Sequence, residues 1–179
     1  MKEKYLLAVL FIASVFAFST PVPVSAQTSP EQRQGKLQLG AEIGPVFGTA
    51  DSTAFGLALY GDYFLHQNFS IGPLVQFGFT DDLFQVGPTA QLKYTYDISS
   101  RMTGNLQGGI GFIHADLDRS GRRDLHDTSF LVPVGGGIDY RLTDNVSLGG
   151  TLLLNFSDLD KVHNDNFNAA LLGGLKIRF

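Results

Sequence analysis

The chain contains no cysteine. That excludes a disulfide framework, a thiol nucleophile and a thiolate metal site. Charge is also scarce. Asp, Glu, Lys and Arg supply only 17% of the 179 residues, less than a soluble domain usually carries. Basic residues are in deficit, 13 against 17 acidic, which argues against nucleic acid as a partner and against electrostatic docking on anionic lipid. After residue 26 no apolar run approaches the roughly 20 residues of a spanning helix. A helical membrane protein is therefore excluded. What is abundant is glycine, with 21 residues, and phenylalanine, with 15.

The N-terminus reads as an export signal. MKEK is a charged start, YLLAVLFIASVFAF is an apolar stretch too short for an anchor, and STPVPVSAQ offers a small-residue cleavage site at Val24-Ser25-Ala26. Residues 1–26 are expected to be a signal peptide, with cleavage after Ala26. Loss of Lys2, Glu3 and Lys4 would leave 11 basic against 16 acidic residues. Residues 27–35, QTSPEQRQG, read as a polar periplasmic linker without fixed structure.

From residue 36 to 179 the hydrophobic period is two. In FSIGPLVQFGFT, Phe69, Ile71, Pro73, Val75, Phe77 and Phe79 share one face, and Ser70, Gly72, Leu74, Gln76, Gly78 and Thr80 the other. The same reading predicts eight strands, at roughly 36–48, 55–65, 69–80, 84–98, 102–115, 128–142, 146–157 and 166–179. Each can cross a bilayer at a tilt, which takes about 9–11 residues. Connections after the second, fourth and sixth strands are tight: His66-Gln67-Asn68, Ser99-Ser100-Arg101 and Thr143-Asp144-Asn145. The others are mostly longer, the longest being LDRSGRRDLHD. Short turns at one end and longer loops at the other describe an all-β, antiparallel, up-and-down meander.

One face is nearly free of charge. The opposite face is Ser, Thr, Gln, Asn and Gly, as in Thr103, Asn105, Gln107, Gly109 and Gly111. A soluble barrel would show Lys and Glu to water. An apolar belt around a small polar interior suits lipid instead, and lipid demands closure because an open edge leaves backbone groups unpaired. On this parity Glu42, Asp62, Lys93, Asp97, Asp139, Arg141, Lys176 and Arg178 point inward. Charges in so narrow a space need partners. Glu42, Lys93 and Lys176 are the salt-bridge candidates, with Glu42 and Lys176 brought together if the first and last strands pair. Gly44-Pro45, Gly72-Pro73, Gly87-Pro88 and Pro133 put strict parity in doubt, since proline cannot donate to the ladder.

An internal repeat surrounds the tight turns: YFLHQNFSIG, YDISSRMTGN and YRLTDNVSLG. It places Tyr63, Tyr96 and Tyr140 one strand-end above a turn, as an aromatic girdle would be. Ordinary hairpin chemistry is the competing explanation. The chain ends LLGGLKIRF, an alternating strand closed by Phe179. Together with the export signal, eight strands, tight turns and tyrosines, this resembles small bacterial outer-membrane barrels of the OmpA membrane-domain and OmpX-like, porin-type kind. The resemblance covers residues 36–179. It implies an eight-stranded transmembrane β-barrel in the outer membrane of a Gram-negative-type bacterium, Phe179 as an assembly signal, and outer-membrane lipid and the assembly machinery as partners. The periplasmic domain that follows the OmpA barrel is not expected after Phe179.

Function is less legible. A monomer with a structural, envelope role and surface-exposed loops is expected, its interior filled by side chains. The alternatives are a narrow pore for small solutes, and a surface adhesin or ligand-binding barrel. No cofactor, metal or enzymatic activity is expected. His114 sits near the outer rim, and the His-x-Ser motif of lipid A deacylases does not occur there, since Ala115 and Asp116 follow. DLDRSGRRDLHD, residues 116–127, has the ligand spacing of an EF-hand loop. Arg123 occupies a position that wants an apolar residue, Asp127 stands in for the usual Glu, and Arg119, Arg122 and Arg123 can neutralise the aspartates. An internally paired loop is the favoured reading.

Overall fold

A computed structural model describes residues 32–50, 52–118, 125–159 and 167–179. The regular elements among them are eight strands: β1 (Leu37–Thr49), β2 (Ser52–Phe64), β3 (Phe69–Phe79), β4 (Leu83–Asp97), β5 (Met102–Leu117), β6 (Leu125–Arg141), β7 (Val146–Ser157) and β8 (Phe167–Arg178). Each pairs antiparallel with the next, and β1 pairs with β8 to close the barrel. The expected signal peptide, most of the expected linker and His163 lie outside the described residues.

Burial follows the alternation. Along β4, odd residues from Leu83 to Thr95 are buried and even residues are exposed or half-exposed. Along β8 the even residues Asn168, Ala170, Leu172 and Lys176 are the buried ones. The apolar majority faces out, as in Leu106, Ile110, Phe112, Leu152 and Leu171. That is the reverse of a soluble core, and lipid as solvent accounts for it.

The prolines do not break parity. Pro45, Pro73 and Pro88 point outward, and Pro133 points inward. Each lies in a short gap of one ladder while the other ladder stays paired: Pro73 is unpaired toward β2 but faces Ala90 on β4. The register is the same on both sides of the gap. A missing N–H therefore costs one local pairing and leaves the face pattern intact. Gly72 makes this possible, because a Cβ there would overlap the Gly61 carbonyl. A register shift falls instead between Val46 and Thr49, at Gly48, whose φ of +74° suits glycine. Phe47 and Gly48 are both exposed, and burial resumes at Thr49.

The repeated turns have a chemical basis. The Ser99 hydroxyl accepts hydrogen bonds from the N–H groups of Arg101 and Met102. Thr143 does the same for Asn145 and Val146. In the first turn the Asn68 amide donates to the Thr95 carbonyl across the rim. Side-chain acceptors thus satisfy backbone donors that a three-residue turn strands. Closure is completed below, where Phe179 N–H donates to the Leu37 carbonyl at 2.8 Å.

Two expectations are corrected. The outer loop after β5 is shorter than expected, because Asp116 pairs with His126 and Leu117 with Leu125 in a continuing ladder. Residues 116–118 and 125–127 belong largely to a projecting hairpin, and His126 is a strand residue. At the other end, Gln32–Gly35 do not hang free as a linker: Arg33 is 1% exposed.

Candidate functional site

The lumen is occupied in tiers. In the lower half, β1, β2, β4, β6 and β8 aim charged side chains at one another. Lys176 Nζ lies 3.3 Å from Glu42 Oε1 and 2.5 Å from Asp139 Oδ1. Glu42 Oε1 also accepts from the Tyr60 and Thr151 hydroxyls, each at 3.0 Å. Lys93 Nζ donates to Asp62 Oδ2 at 2.6 Å, and Gln91 Nε2 donates to Asp62 Oδ1 at 2.9 Å. Tyr60 joins the two groups. Its ring centroid lies 4.2 Å from Lys93 Nζ and 5.5 Å from Lys176 Nζ, so two cations meet one aromatic ring.

Glycines supply the space. Gly40 faces Tyr60 across β1 and β2, and a side chain there would strike the ring. Gly149 faces Asp139, and a Cβ there would collide with its carboxylate and with Lys176. Small residues on alternate strands let long charged ones cross the axis, which is how a narrow barrel fills itself.

Above this tier come Ala58, Leu74, Leu153, Ala170 and Leu172, an apolar layer. Next is an amide network, in which Asn155 exchanges hydrogen bonds with Gln76 and donates to Asn168 at 2.8 Å. It borders a cavity of about 30 Å³ lined also by Gln85, Gly87, Ile113 and Leu131. That is space for one or two waters. A second apolar cluster, Leu83, Ile113, Ala115, Leu117, Leu131 and Leu159, lies toward the outer end, on β4, β5 and β6 and just after β7.

The outward face carries aromatic rings at both ends. Near the turns stand Tyr63, Tyr96 and Tyr140, all 40–48% exposed, with Tyr94 and Phe69 beside them. Tyr96 also covers Gly104 on β5. Near the loops every strand presents a phenylalanine: Phe47, Phe55, Phe79, Phe84, Phe112, Phe130, Phe156 and Phe167. Many pair directly, as Phe55 with Phe79, Phe79 with Phe84, Phe112 with Phe130, and Phe156 with Phe167. The sequence reading found the tyrosines through their repeat. It missed the phenylalanine ring, whose signal was one Phe near the loop end of each segment.

The β5–β6 hairpin projects past Phe112 and Phe130. On its outward face Asp116 Oδ1 lies 2.7 Å from His126 Nδ1 and 3.3 Å from His114 Nε2, and His114 Nδ1 lies 2.7 Å from the Thr128 hydroxyl. Asp127 pairs with Ala115 and so faces the opposite way. The first and last positions of the calcium-loop spacing therefore cannot meet at one ion. Residues 119–124, with the three arginines, lie outside the described residues. Among the described residues, no group of three or more His, Asp or Glu side chains is arranged to hold a metal.

Of the expected site residues, Glu42 and Lys176 come together, while Lys93 takes Asp62 as its partner. Asp97 sits half-exposed at the rim, bonded to Arg33 rather than to a strand neighbour. Arg178 donates to Gln38 and lies over the Phe64 ring. Tyr60 was not anticipated, although its alternation with Asp62 places it inside. Phe179 ends the chain 65% exposed on the outer face.

A closed eight-stranded barrel with an apolar exterior, aromatic rings at both ends and a filled polar lumen is a transmembrane β-barrel. Comparison with known proteins agrees. The family model for the outer membrane protein beta-barrel domain matches residues 11–173, and the chain belongs to that family. Among solved structures it is similar to the N-terminal β-barrel domain of OprF from Pseudomonas aeruginosa, at 14% identity and a TM-score of 0.63, over 82% of this chain and 98% of that one. Neisserial surface protein A is 19% identical with a TM-score of 0.63, over 80% and 96%. Ail, the attachment invasion locus protein of Yersinia pestis, is 15% identical with a TM-score of 0.54, over 82% and 99%. At such identities the likeness establishes the fold. No curated protein sequence matches the chain. The protein is thus an outer-membrane barrel.

Proposed function

We propose that this chain is a non-conducting, structural barrel of the outer membrane, acting as a monomer whose partners are lipid and the assembly machinery. The observation that carries the reading is the succession of charged, apolar, amide and apolar tiers across the lumen, in which the cavity beside the amide network measures about 30 Å³. A water-filled path needs a continuous polar column, and two apolar layers interrupt this one. The tyrosine hydroxyls reach headgroups at the periplasmic interface. The phenylalanines, lacking a hydroxyl, lie just inside the apolar layer of the outer leaflet. Phe179 ends the strand that the assembly machinery would read. The His114–Asp116–His126 cluster serves in this reading as a polar rim at headgroup height, and the protein performs no reaction. Conductance of the purified barrel in a planar bilayer is the test. The expected trace is flat, and steady open single channels would overturn the proposal.

A further inference from the structure

The segment before β1 has more structure than its composition announces. Arg33, Gln34, Gly35 and Lys36 form a turn, with Lys36 N–H bonded to the Arg33 carbonyl at 3.0 Å and Gly35 at φ +79°. A positive φ at the third position is what glycine provides there. Gly35 N–H and the Lys36 carbonyl extend the ladder to Phe64. The turn sends the chain back beneath the mouth. There Arg33 N–H donates to Gln67 Oε1 at 2.9 Å, Arg33 Nη1 donates to the Gln67 carbonyl at 3.4 Å, and Nη2 is ion-paired with Asp97. Gln67 lies in the β2–β3 turn and Asp97 ends β4, so the side chain bridges these two elements at the rim of the opening. It is nonetheless buried.

We infer that Gln32–Gly35 are a latch that seals the periplasmic mouth of the lumen, with Arg33 as its bolt and Asp97 and Gln67 as its two keepers. A planar guanidinium with several fixed donors can engage a carboxylate and a backbone carbonyl at once. The inward groups directly above it are Ser70 and Thr95, both buried, with the Lys93–Asp62 pair beyond. The latch controls water access to this layer. It acts separately from the tiers higher up and would exist whether or not those conduct.

The absence of cysteine gives a clean test. Ser70→Cys places a single thiol just above the latch. Labelling of the folded, full-length barrel by a small charged methanethiosulfonate reports how often the mouth opens. With Arg33 intact, labelling is expected to be slow. Arg33→Ala should accelerate it at least about tenfold, because the ion pair to Asp97 and the side-chain hydrogen bond to the Gln67 carbonyl are lost together. Asp97→Asn should give a smaller rise, since Gln67 still holds the bolt. Heat-modifiable gel mobility verifies that each variant is folded. If Ser70→Cys does not fold, Thr95→Cys reports the same layer. Equal rates with and without Arg33, whether fast or slow, would overturn the inference.

Discussion

Replacing Lys176 by Met tests the charged tier most directly. The substitution keeps a flexible, unbranched side chain one heavy atom shorter and removes one charge. Lys176 is 2% exposed and serves two carboxylates, so its loss affects them unequally. Glu42 keeps the hydroxyls of Tyr60 and Thr151. Asp139 keeps a 3.4 Å contact from Asn105, which is a weak hydrogen bond. Removing one partner of a buried ion pair costs about 3–5 kcal/mol, chiefly because the remaining charge is stranded. That corresponds to a hundred- to several-thousand-fold change in the folding equilibrium, on the order of one decade per 1.4 kcal/mol. Urea unfolding of the barrel in lipid vesicles, followed by gel mobility without boiling, would measure it. The second variant matters more. Lys176→Met combined with Asp139→Asn removes the stranded charge and should recover more than half of the loss. Lys176→Met combined with Thr151→Val should recover none and weaken Glu42 further. A cost below about 1 kcal/mol for Lys176→Met, or no recovery with Asp139→Asn, would refute the claim that Lys176 holds these acids in a dry lumen.

Other consequences can be measured in the same way. Gly72→Ala should prevent folding, because its Cβ would overlap the Gly61 carbonyl, and the heat-modifiable shift should disappear. Leu152→Arg, on the outward face between the two aromatic ends, should cost about 2–4 kcal/mol, against about 0–1 kcal/mol for Tyr140→Arg at the lower end. Equal costs would show that the bilayer does not sit between the rings. Tyr96→Ala should cost about 1 kcal/mol by uncovering Gly104, and a Gly104→Ala background should reduce that difference. Calorimetry with millimolar calcium should give no binding heat, because Asp116 and Asp127 face opposite ways; a stoichiometric heat would refute that geometry.

Alternation told which face of each strand meets lipid, because the pleat gives side chains a period of two and lipid rejects charge. It therefore exposed the strand count, the tight turns and the inward charges, including Glu42, Lys93, Lys176 and Asp139. The lower turns were legible because Ser99 and Thr143 sit where a three-residue turn needs an acceptor. The prolines do not break parity as expected: an outward proline loses one ladder bond without shifting register, and among the described residues the shift falls at Gly48.

Height along the barrel is a different matter, and it decides which inward groups touch. The stagger between tilted strands sets it, and no single strand carries that information. Lys176 meets Asp139 across β7 because Gly149 leaves the gap, and Tyr60 collects two cations because Gly40 yields to its ring. The eight phenylalanines form a ring only once the sheet closes. Arg33 lies before the first alternating residue, in a segment whose composition reads as disordered, and the closed mouth alone gives its guanidinium a place to bind. The sequence by itself determined a lipid-facing barrel with charges inside. The tertiary structure decided that those charges pair, that apolar layers separate them from the outer mouth, and that the chain before β1 turns back to cover the other end.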